Sequence, residues 1–162
     1  MSVHPGFRDL YEREFERVLR AVFILAGDRA LAEDATQEAF ARALARWRRI
    51  GAHPAPAGWV TTTALNVARR QLRRKPEPSS TRQDRAQDED ERLSLHDAIR
   101  ALSPRQQEAV VLHYLVDLPV TEVAAVMGVD EGTVKTHLSR ARTAIAAALA
   151  DPLPDPTEEL TP

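Results

Sequence analysis

The sequence has no cysteine, few aromatic residues and no long apolar run. The absence of cysteine excludes a disulfide framework, a thiolate nucleophile and a cysteine-based zinc site. Aromatic residues make up only 5% of the chain, so each Trp and Phe is expected to matter for packing or contact. No stretch approaches the ~20 apolar residues that span a bilayer, and residues 1–8 lack the basic-then-apolar order of a secretory signal. We therefore expect a soluble cytoplasmic protein that does not insert into a membrane.

Acidic residues are missing from one long interval of the chain. The net charge of −2 conceals this, because residues 40–75 contain no Asp or Glu. The basic residues of the interval are Arg42, Arg46, Arg48, Arg49, Arg69, Arg70, Arg73, Arg74 and Lys75. Nine positive charges in an interval that holds no acid would bind a polyanion. The alternative is a solvated helix face with no partner.

Two later segments have the opposite charge and little apolar content. Residues 76–92 carry six acids against three arginines, and Ala86 is their only apolar residue. Such a segment cannot bury enough surface to offset its ordering entropy, so we predict a flexible acidic linker. The acidic, Pro-containing residues 151–162 are predicted to be a disordered tail.

Hydrophobic periodicity indicates helices on both sides of this linker, and no alternating strand pattern occurs. The fold is predicted to be all-α, with two small helical modules at residues 1–75 and 93–150. In the first module, helices are expected from about Phe7 to Gly27, from an Asp28 cap to about Trp47 and from about Gly58 to Arg74, with a loop over Ile50–Ala57.

The second module contains the most specific local signals. Ser103, Pro104 and Gln106 fit a capping box at a helix start. Residues 121–142 predict a helix-turn-helix, in which Gly128 makes the sharp turn and Asp130 caps the last helix.

The last predicted helix has two distinct faces. Val134, Leu138, Ala141 and Ile145 fall on one line and are expected to face the core. The opposite side carries hydroxyls and arginines, which can bond base edges and phosphates in a major groove. The plainer interpretation is a helical hairpin with a polar outer face.

A second candidate surface lies on the helix that follows the Pro-rich loop. It combines an aromatic residue, an amide and several guanidiniums, a set that suits single-stranded DNA. Its members are Trp59, Asn66, Arg69, Arg70, Arg73 and Arg74. Trp59 could instead be a core anchor at the helix start.

Three segments together resemble the sigma-70 family. Residues 31–40, LAEDATQEAF, look like its polymerase-binding helix. Residues 58–70, from Gly58-Trp59-Val60 to Asn66-Val67-Ala68-Arg69-Arg70, resemble the stretch that melts and reads the minus-ten element. Residues 103–142 are similar to its minus-thirty-five-binding module. With only two modules and a short linker, the chain is identified as a member of the extracytoplasmic-function (ECF) class.

The resemblance implies a sigma factor that binds core RNA polymerase at the clamp helices and flap, directs promoter-specific initiation and is held by an anti-sigma factor. It implies no enzymatic activity, cofactor, metal or small-molecule substrate. The implied polymerase-binding residues are Asp34, Gln37 and Glu38. The implied minus-ten residues are Trp59, Asn66, Arg69, Arg70 and Arg73. The implied minus-thirty-five residues are Thr133, Lys135, Thr136, Ser139 and Arg140.

Two other classes of protein compete with this interpretation. A repressor or activator could also use the helix-turn-helix, but it would need neither the Asp34-Gln37-Glu38 helix nor the acid-free module. An enzyme is disfavoured because the histidines are widely spaced and no Gly-rich phosphate loop occurs. His113, in an apolar helix, is expected to be structural. Thr61-Thr62-Thr63 and Pro119 depart from the family pattern and leave exact promoter contacts open.

Overall fold

The computed structural model describes residues 4–74 and 90–150, which contain helices and no strand. The α-helices are α1 (Pro5–Ala26), α2 (Arg29–Ala45), α3 (Trp47–Ile50), α4 (Pro56–Arg74), α5 (Asp90–Arg100), α6 (Pro104–Val110), α7 (Val120–Met127) and α8 (Glu131–Leu149). The all-α prediction is confirmed. No helix within these ranges combines the length and apolarity needed to cross a membrane. The predicted tail and residues 76–89 of the predicted linker lie outside the described residues.

Local signals set the boundary between α1 and α2. Gly27 has φ 68° and its N–H donates to the Phe23 carbonyl at 2.8 Å, a left-handed C-cap that favours glycine. Asp28 then accepts a hydrogen bond from the Leu31 N–H at 3.1 Å. The predicted Asp28 cap is therefore confirmed.

Helices α1, α2 and α4 pack around the core of the first module (α1–α4). Phe40, 2% exposed, meets the rings of Phe7, Tyr11 and Phe15 at centroid distances of 6.3, 5.1 and 5.6 Å. Trp47 adds an edge contact to Phe7 at 5.6 Å. Tilted and edge-on ring pairs of this kind contribute about 0.5–1.5 kcal/mol each beyond burial.

The predicted boundaries of the second and third helices were partly wrong. The second helix was expected to reach Trp47, but α2 ends at Ala45 and a separate α3 begins at Trp47. The predicted loop over Ile50–Ala57 is shorter, because Ile50 belongs to α3 and α4 begins at Pro56. Proline at the first position of a helix loses no intrahelical hydrogen bond and has the required φ, so Pro56 starts α4 rather than preceding it.

The second module (α5–α8) begins earlier than predicted and contains an irregular turn. Helix α5 starts at Asp90, inside the segment expected to be linker. Helix α6 continues into a π-helical turn over Val111–Leu115, in which the Val116 N–H donates to the Val111 carbonyl at 2.9 Å. His113 Nδ1 lies 2.8 Å from the Leu118 carbonyl oxygen, which agrees with the structural role expected for this histidine.

The two modules are packed against each other where α4 meets α7. A Cβ added to Gly58 would lie 2.5 Å from Cγ2 of Val126 and 2.9 Å from Cδ1 of Leu118. Real carbon atoms do not approach this closely, so any side chain at position 58 would force Val126 and Leu118 to shift.

The capping box at the start of α6 generates a stability prediction. Ser103 Oγ accepts from the Gln106 N–H at 3.3 Å, and the Gln106 side chain accepts from the Ser103 N–H at 3.4 Å. Ser103→Ala should lower the free energy of unfolding by about 1 kcal/mol. Urea unfolding followed by circular dichroism measures this change. Ser103→Asp, which retains a cap acceptor, is the control, and equal stability of the alanine variant and wild type would contradict the prediction.

Candidate nucleic-acid interface

Helix α8 presents a polar face away from the core. Val134, Leu138 and Ala141 are buried, and Ile145 is half-buried, as their spacing predicted. The exposed residues on the other side are Lys135, Thr136, Ser139, Arg140, Arg142 and Thr143, with Thr133 half-buried. The orientation expected from periodicity is confirmed, whereas contact of these side chains with DNA stays a prediction.

The N-terminus of α8 is fixed by Asp130. Its Oδ1 accepts a hydrogen bond from the Thr133 N–H at 2.6 Å, which confirms the predicted cap. Hydrogen bonding from the Thr133 backbone and side chain lowers the pKa of the Asp130 carboxyl group, because these bonds favour the charged form. The Thr136 hydroxyl donates to the Gly132 carbonyl at 3.0 Å, and its oxygen can still accept from a nucleic acid.

The turn between α7 and α8 depends on backbone conformation and on one arginine. Gly128 has φ 68°, and a Cβ added there would meet no atom within 4 Å. Glycine is therefore favoured at this position by its dihedral freedom and not by lack of space. Arg105 Nη1 donates to the Met127 carbonyl at 3.3 Å, which ties α6 to the end of α7.

The basic residues of α4 differ in their accessibility. Asn66, Arg70 and Arg73 are exposed, so an extended strand can reach them. Trp59 is half-buried and packs against the core. Both roles considered for Trp59 are therefore compatible with its position, since part of the indole is packed and part is accessible.

Arg69 was grouped with the exposed arginines of α4, but in the structure it forms hydrogen bonds with the second module. Its Nη2 donates to Gln107 Oε1 at 3.2 Å and to the Pro104 carbonyl at 3.3 Å, and its Nη1 donates to Asn66 Oδ1 at 3.4 Å. Desolvation lowers the pKa of the Arg69 guanidinium, Glu108 opposes this shift and Arg73 adds to it. Arg69 thus faces the second module instead of open solvent.

A contact between two further polar residues where the modules meet was not predicted from the sequence. Thr62 Oγ1 donates to Glu108 Oε1 at 3.2 Å, and Glu108 is only 7% exposed. The second oxygen of Glu108 accepts from Arg105 Nη1 at 3.2 Å. A pairing between residues 46 positions apart has no local sequence signal, so only the tertiary structure reveals it.

The remaining arginines of the acid-free interval form a second basic area. Arg46, Arg48 and Arg49 are exposed and, with Trp47, line an open hollow of about 480 Å³. Within the described ranges, these three guanidiniums make no ion pair. Positive charge therefore extends from α3 to α4, on the module that was predicted to bind a polyanion.

Helix α2 carries the residues assigned to polymerase binding. Asp34 and Gln37 are exposed, and Glu38 is half-buried and forms an ion pair with Arg42. The opposite side of the helix is buried through Ala35 and Phe40. Asp34 and Gln37 therefore point into solvent, whereas a partner that binds Glu38 would compete with Arg42.

Metal chemistry finds no support in the described part of the chain. No three His, Asp or Glu side chains converge there as a cation site would require.

Two segments match known protein families. Residues 10–76 match sigma-70 region 2, and residues 92–145 match sigma-70 region 4. The first segment contains α4 with its basic face, and the second contains the helix-turn-helix.

Two relatives belong to the same family, and one solved structure shares the fold; the chain spans only about 61% of the length of the first relative. The ECF RNA polymerase sigma factor BldN of Streptomyces coelicolor is 34% identical, over 90% of this chain and 61% of that relative. The ECF RNA polymerase sigma factor SigL of Mycobacterium tuberculosis is 30% identical, over 89% of each chain. The fold is shared with the sigma factor RpoE of Bartonella quintana, solved with the anti-sigma factor NepR, at a TM-score of 0.68, 21% identity and coverage of 90% of this chain and 97% of that chain.

The order of the two matched regions and the identity to SigL over nearly its whole length agree with the two helical modules of the fold. The chain belongs to the sigma-70 family, within the extracytoplasmic-function class of RNA polymerase sigma factors.

Proposed function

We propose that this chain binds core RNA polymerase in the bacterial cytoplasm and directs it to promoters through separate minus-thirty-five and minus-ten contacts. The observation that carries the proposal is that one small chain exposes two chemically different polar faces, one on α8 and one on α4. The exposed hydroxyls and arginines of α8 suit duplex DNA. The acid-free, arginine-rich side of α4 suits an opened strand.

The two modules would divide the work of initiation between them. The second module grips duplex DNA upstream, largely through phosphate contacts that weaken as salt rises. The first module binds the parted strand more strongly than the duplex, so its binding energy shifts the equilibrium towards the melted state. The chain itself would act by binding and would carry out no catalytic step.

An anti-sigma factor is the second partner that we propose. The sigma factor RpoE of B. quintana was solved in complex with the anti-sigma factor NepR, and this chain shares the fold of that protein over most of its length. A regulator that covers the DNA-facing surfaces of α4 and α8 would prevent promoter binding.

Transcription in a purified system tests the main proposal. Core polymerase supplemented with this chain should initiate at specific sites on genomic DNA, and core polymerase alone should not. Mapping the transcript starts would also define the promoter sequences. If the chain bound promoters without supporting initiation, a repressor or activator would explain the helix-turn-helix better.

The exposed arginines of α4 generate a prediction about strand opening. Arg70→Ala combined with Arg73→Ala should impair open-complex formation while binding to core polymerase survives. The log–log slope of strand affinity against salt should become shallower by about 0.7 for each phosphate that the variant no longer neutralises. Permanganate footprinting and a salt titration measure the two effects.

A matched pair of arginines on α1 controls for general loss of charge. Arg8 and Arg20 are exposed on the same module, and their joint replacement by alanine should leave strand opening intact. Equal impairment by both pairs would refute a specific role for α4. Loss of core binding in the α4 variant would contradict the division of labour.

The acidic face of α2 generates a prediction about polymerase binding. Asp34→Ala combined with Glu38→Ala should weaken binding to core polymerase by about tenfold or more, since loss of an interface hot spot costs about 2 kcal/mol or more and about 1.4 kcal/mol is tenfold. Fluorescence anisotropy in the absence of DNA measures the affinity. Asp9→Ala with Glu16→Ala removes the same charge from α1 and is the control. Unchanged affinity in the α2 variant would refute the docking role.

A further inference from the structure

An exposed tyrosine of the second module is hydrogen-bonded to an arginine of α8. Arg142 Nη1 donates to the Tyr114 hydroxyl at 2.9 Å, although 28 positions separate the two residues. Tyr114 is 50% exposed, and Arg142 is exposed as well. Water would satisfy both groups if they were apart, so this hydrogen bond adds little to stability. Its main effect is to hold a long, flexible cation in one place on the surface.

The position of Tyr114 is fixed by the irregular turn that follows α6. The π-helical turn over Val111–Leu115 closes through the Val116 N–H, and the Leu118 N–H donates to the Leu112 carbonyl at 3.0 Å. Single π-helical turns occur frequently at functional sites. Here the turn leaves the phenol at the surface, within reach of α8.

A histidine supports the tyrosine ring. The rings of His113 and Tyr114 lie edge to face, with centroids 4.8 Å apart and an interplanar angle of 72°. His113 is itself held by the Leu118 carbonyl, which lies 2.8 Å from Nδ1. Edge-to-face contact is one of the arrangements that aromatic pairs prefer. The orientation of the phenol is therefore determined within its own turn, and Arg142 bonds to a group that is already in place.

Arg142 lies on the same edge of α8 as Lys135. The two residues are seven positions apart, about two helical turns, so their side chains project from one side of the helix. Both are exposed, and neither has an ion-pair partner among residues 4–74 and 90–150. This edge borders the polar face that carries Thr136 and Ser139.

The location of Arg142 suits a phosphate better than a base. The N-terminal residues of a recognition helix contact base edges. Arg142 lies about 16 Å along the helix axis from the start of α8 at Glu131. The major groove is about 12 Å wide and is bordered by the two sugar–phosphate backbones. A side chain this far from the inserted end therefore lies beside the border of the groove and not over the bases.

Tyr114 and Arg142 offer converging donors to a phosphate oxygen. The phenol oxygen accepts from Arg142, and its own O–H can still donate. Accepting a bond from a cation polarises this O–H and strengthens it as a donor. Arg142 uses one of its five N–H groups for the phenol and keeps the others for a phosphate, which a guanidinium binds through paired N–H groups.

We propose that Tyr114 and Arg142 together bind one backbone phosphate of duplex DNA at the border of the minus-thirty-five groove, with Tyr114 as the residue that positions Arg142. This inference rests on the proposed binding of duplex DNA by α8 and adds a contact from outside that helix. Because a phosphate carries no base identity, the pair contributes affinity and register but not sequence choice.

Removal of the phenol hydroxyl tests this role. The full chain, assembled with core polymerase, is titrated with a fluorescent duplex that carries the minus-thirty-five element of a promoter mapped with the wild type. A second duplex has that element scrambled. Tyr114→Phe keeps the ring and should weaken binding to both duplexes by about threefold to tenfold. The ratio of the two affinities should stay at its wild-type value.

The salt dependence measures whether Arg142 reaches the phosphate. Arg142→Gln should make the log–log slope of affinity against salt shallower by about 0.9, the value for one lost phosphate contact on duplex DNA. Tyr114→Phe retains every charge, so a shallower slope in that variant means that the guanidinium has left its phosphate. We expect this shallower slope. The double variant should lose less affinity than the product of the two single losses, because the two residues share one phosphate.

Matched variants on α1 are the controls. Tyr11→Phe removes the other phenol hydroxyl of the chain, and Arg20→Ala removes one positive charge; both should match the wild type. Circular dichroism verifies folding. If Tyr114→Phe fails to fold, Arg142→Lys provides the test, since it keeps the charge but loses the paired N–H groups. It should bind both duplexes more weakly with an unchanged salt slope.

Three results would overturn the inference. Wild-type affinity and salt slope in Tyr114→Phe would show that the phenol has no part in DNA binding. A changed ratio between the promoter and scrambled duplexes would show that the pair reads a base. Weaker binding to core polymerase with unchanged DNA affinity would assign the pair to a protein contact. Failure of the proposed function is distinct, because it would appear in the wild-type chain as absence of promoter-dependent initiation.

Discussion

Helix α4 contacts three different environments: the core of the first module, the second module and solvent. Its inner face, including Val60, Ala64 and Leu65, is buried in the first module. A second face meets the other module through Gly58 and Thr62. The third face leaves Arg70 and Arg73 in solvent. Because side chains leave a helix at about 100° intervals, these requirements divide the circumference of α4, and Arg69 lies where the second and third faces meet.

Helix ends could be predicted from the sequence where a local cap or turn determines them. The Asp28, Ser103 and Asp130 caps and the Gly128 turn each depend on residues three or four positions apart, and all four were predicted. The break between α2 and α3 has no proline or glycine at Arg46 to mark it. Trp47 and Ile50, which follow the break, contact the core of the first module. The π-helical turn at Val111–Leu115 likewise has no proline or glycine to mark it.

Some candidate surfaces could likewise be placed from local sequence patterns, whereas another depends on contacts between distant residues. Periodicity alone placed the polar face of α8 and the outward residues of α2, because in both helices a single apolar stripe determines the orientation. For α4, periodicity placed Arg69 with Arg70 and Arg73 as one surface. It could not separate them, since the difference comes from Gln107 and Glu108 in a helix more than thirty positions away. The assignment of individual residues to promoter DNA remains a prediction.

Packing of the two modules against each other brings a negative charge to the acid-free part of the chain. An acid-free interval of 36 residues with nine positive charges repels itself, and no carboxylate within the interval can relieve this. Packing of the modules brings Glu108 of α6 against Thr62 and near Arg69, so one of the missing negative charges comes from the other module. A DNA strand offers many more negative charges to the same helix, and a flexible strand can adjust the positions of its phosphates. The uncompensated positive charge of α4 thus favours nucleic acid. When no nucleic acid is bound, the same charge favours a carboxylate from the other module.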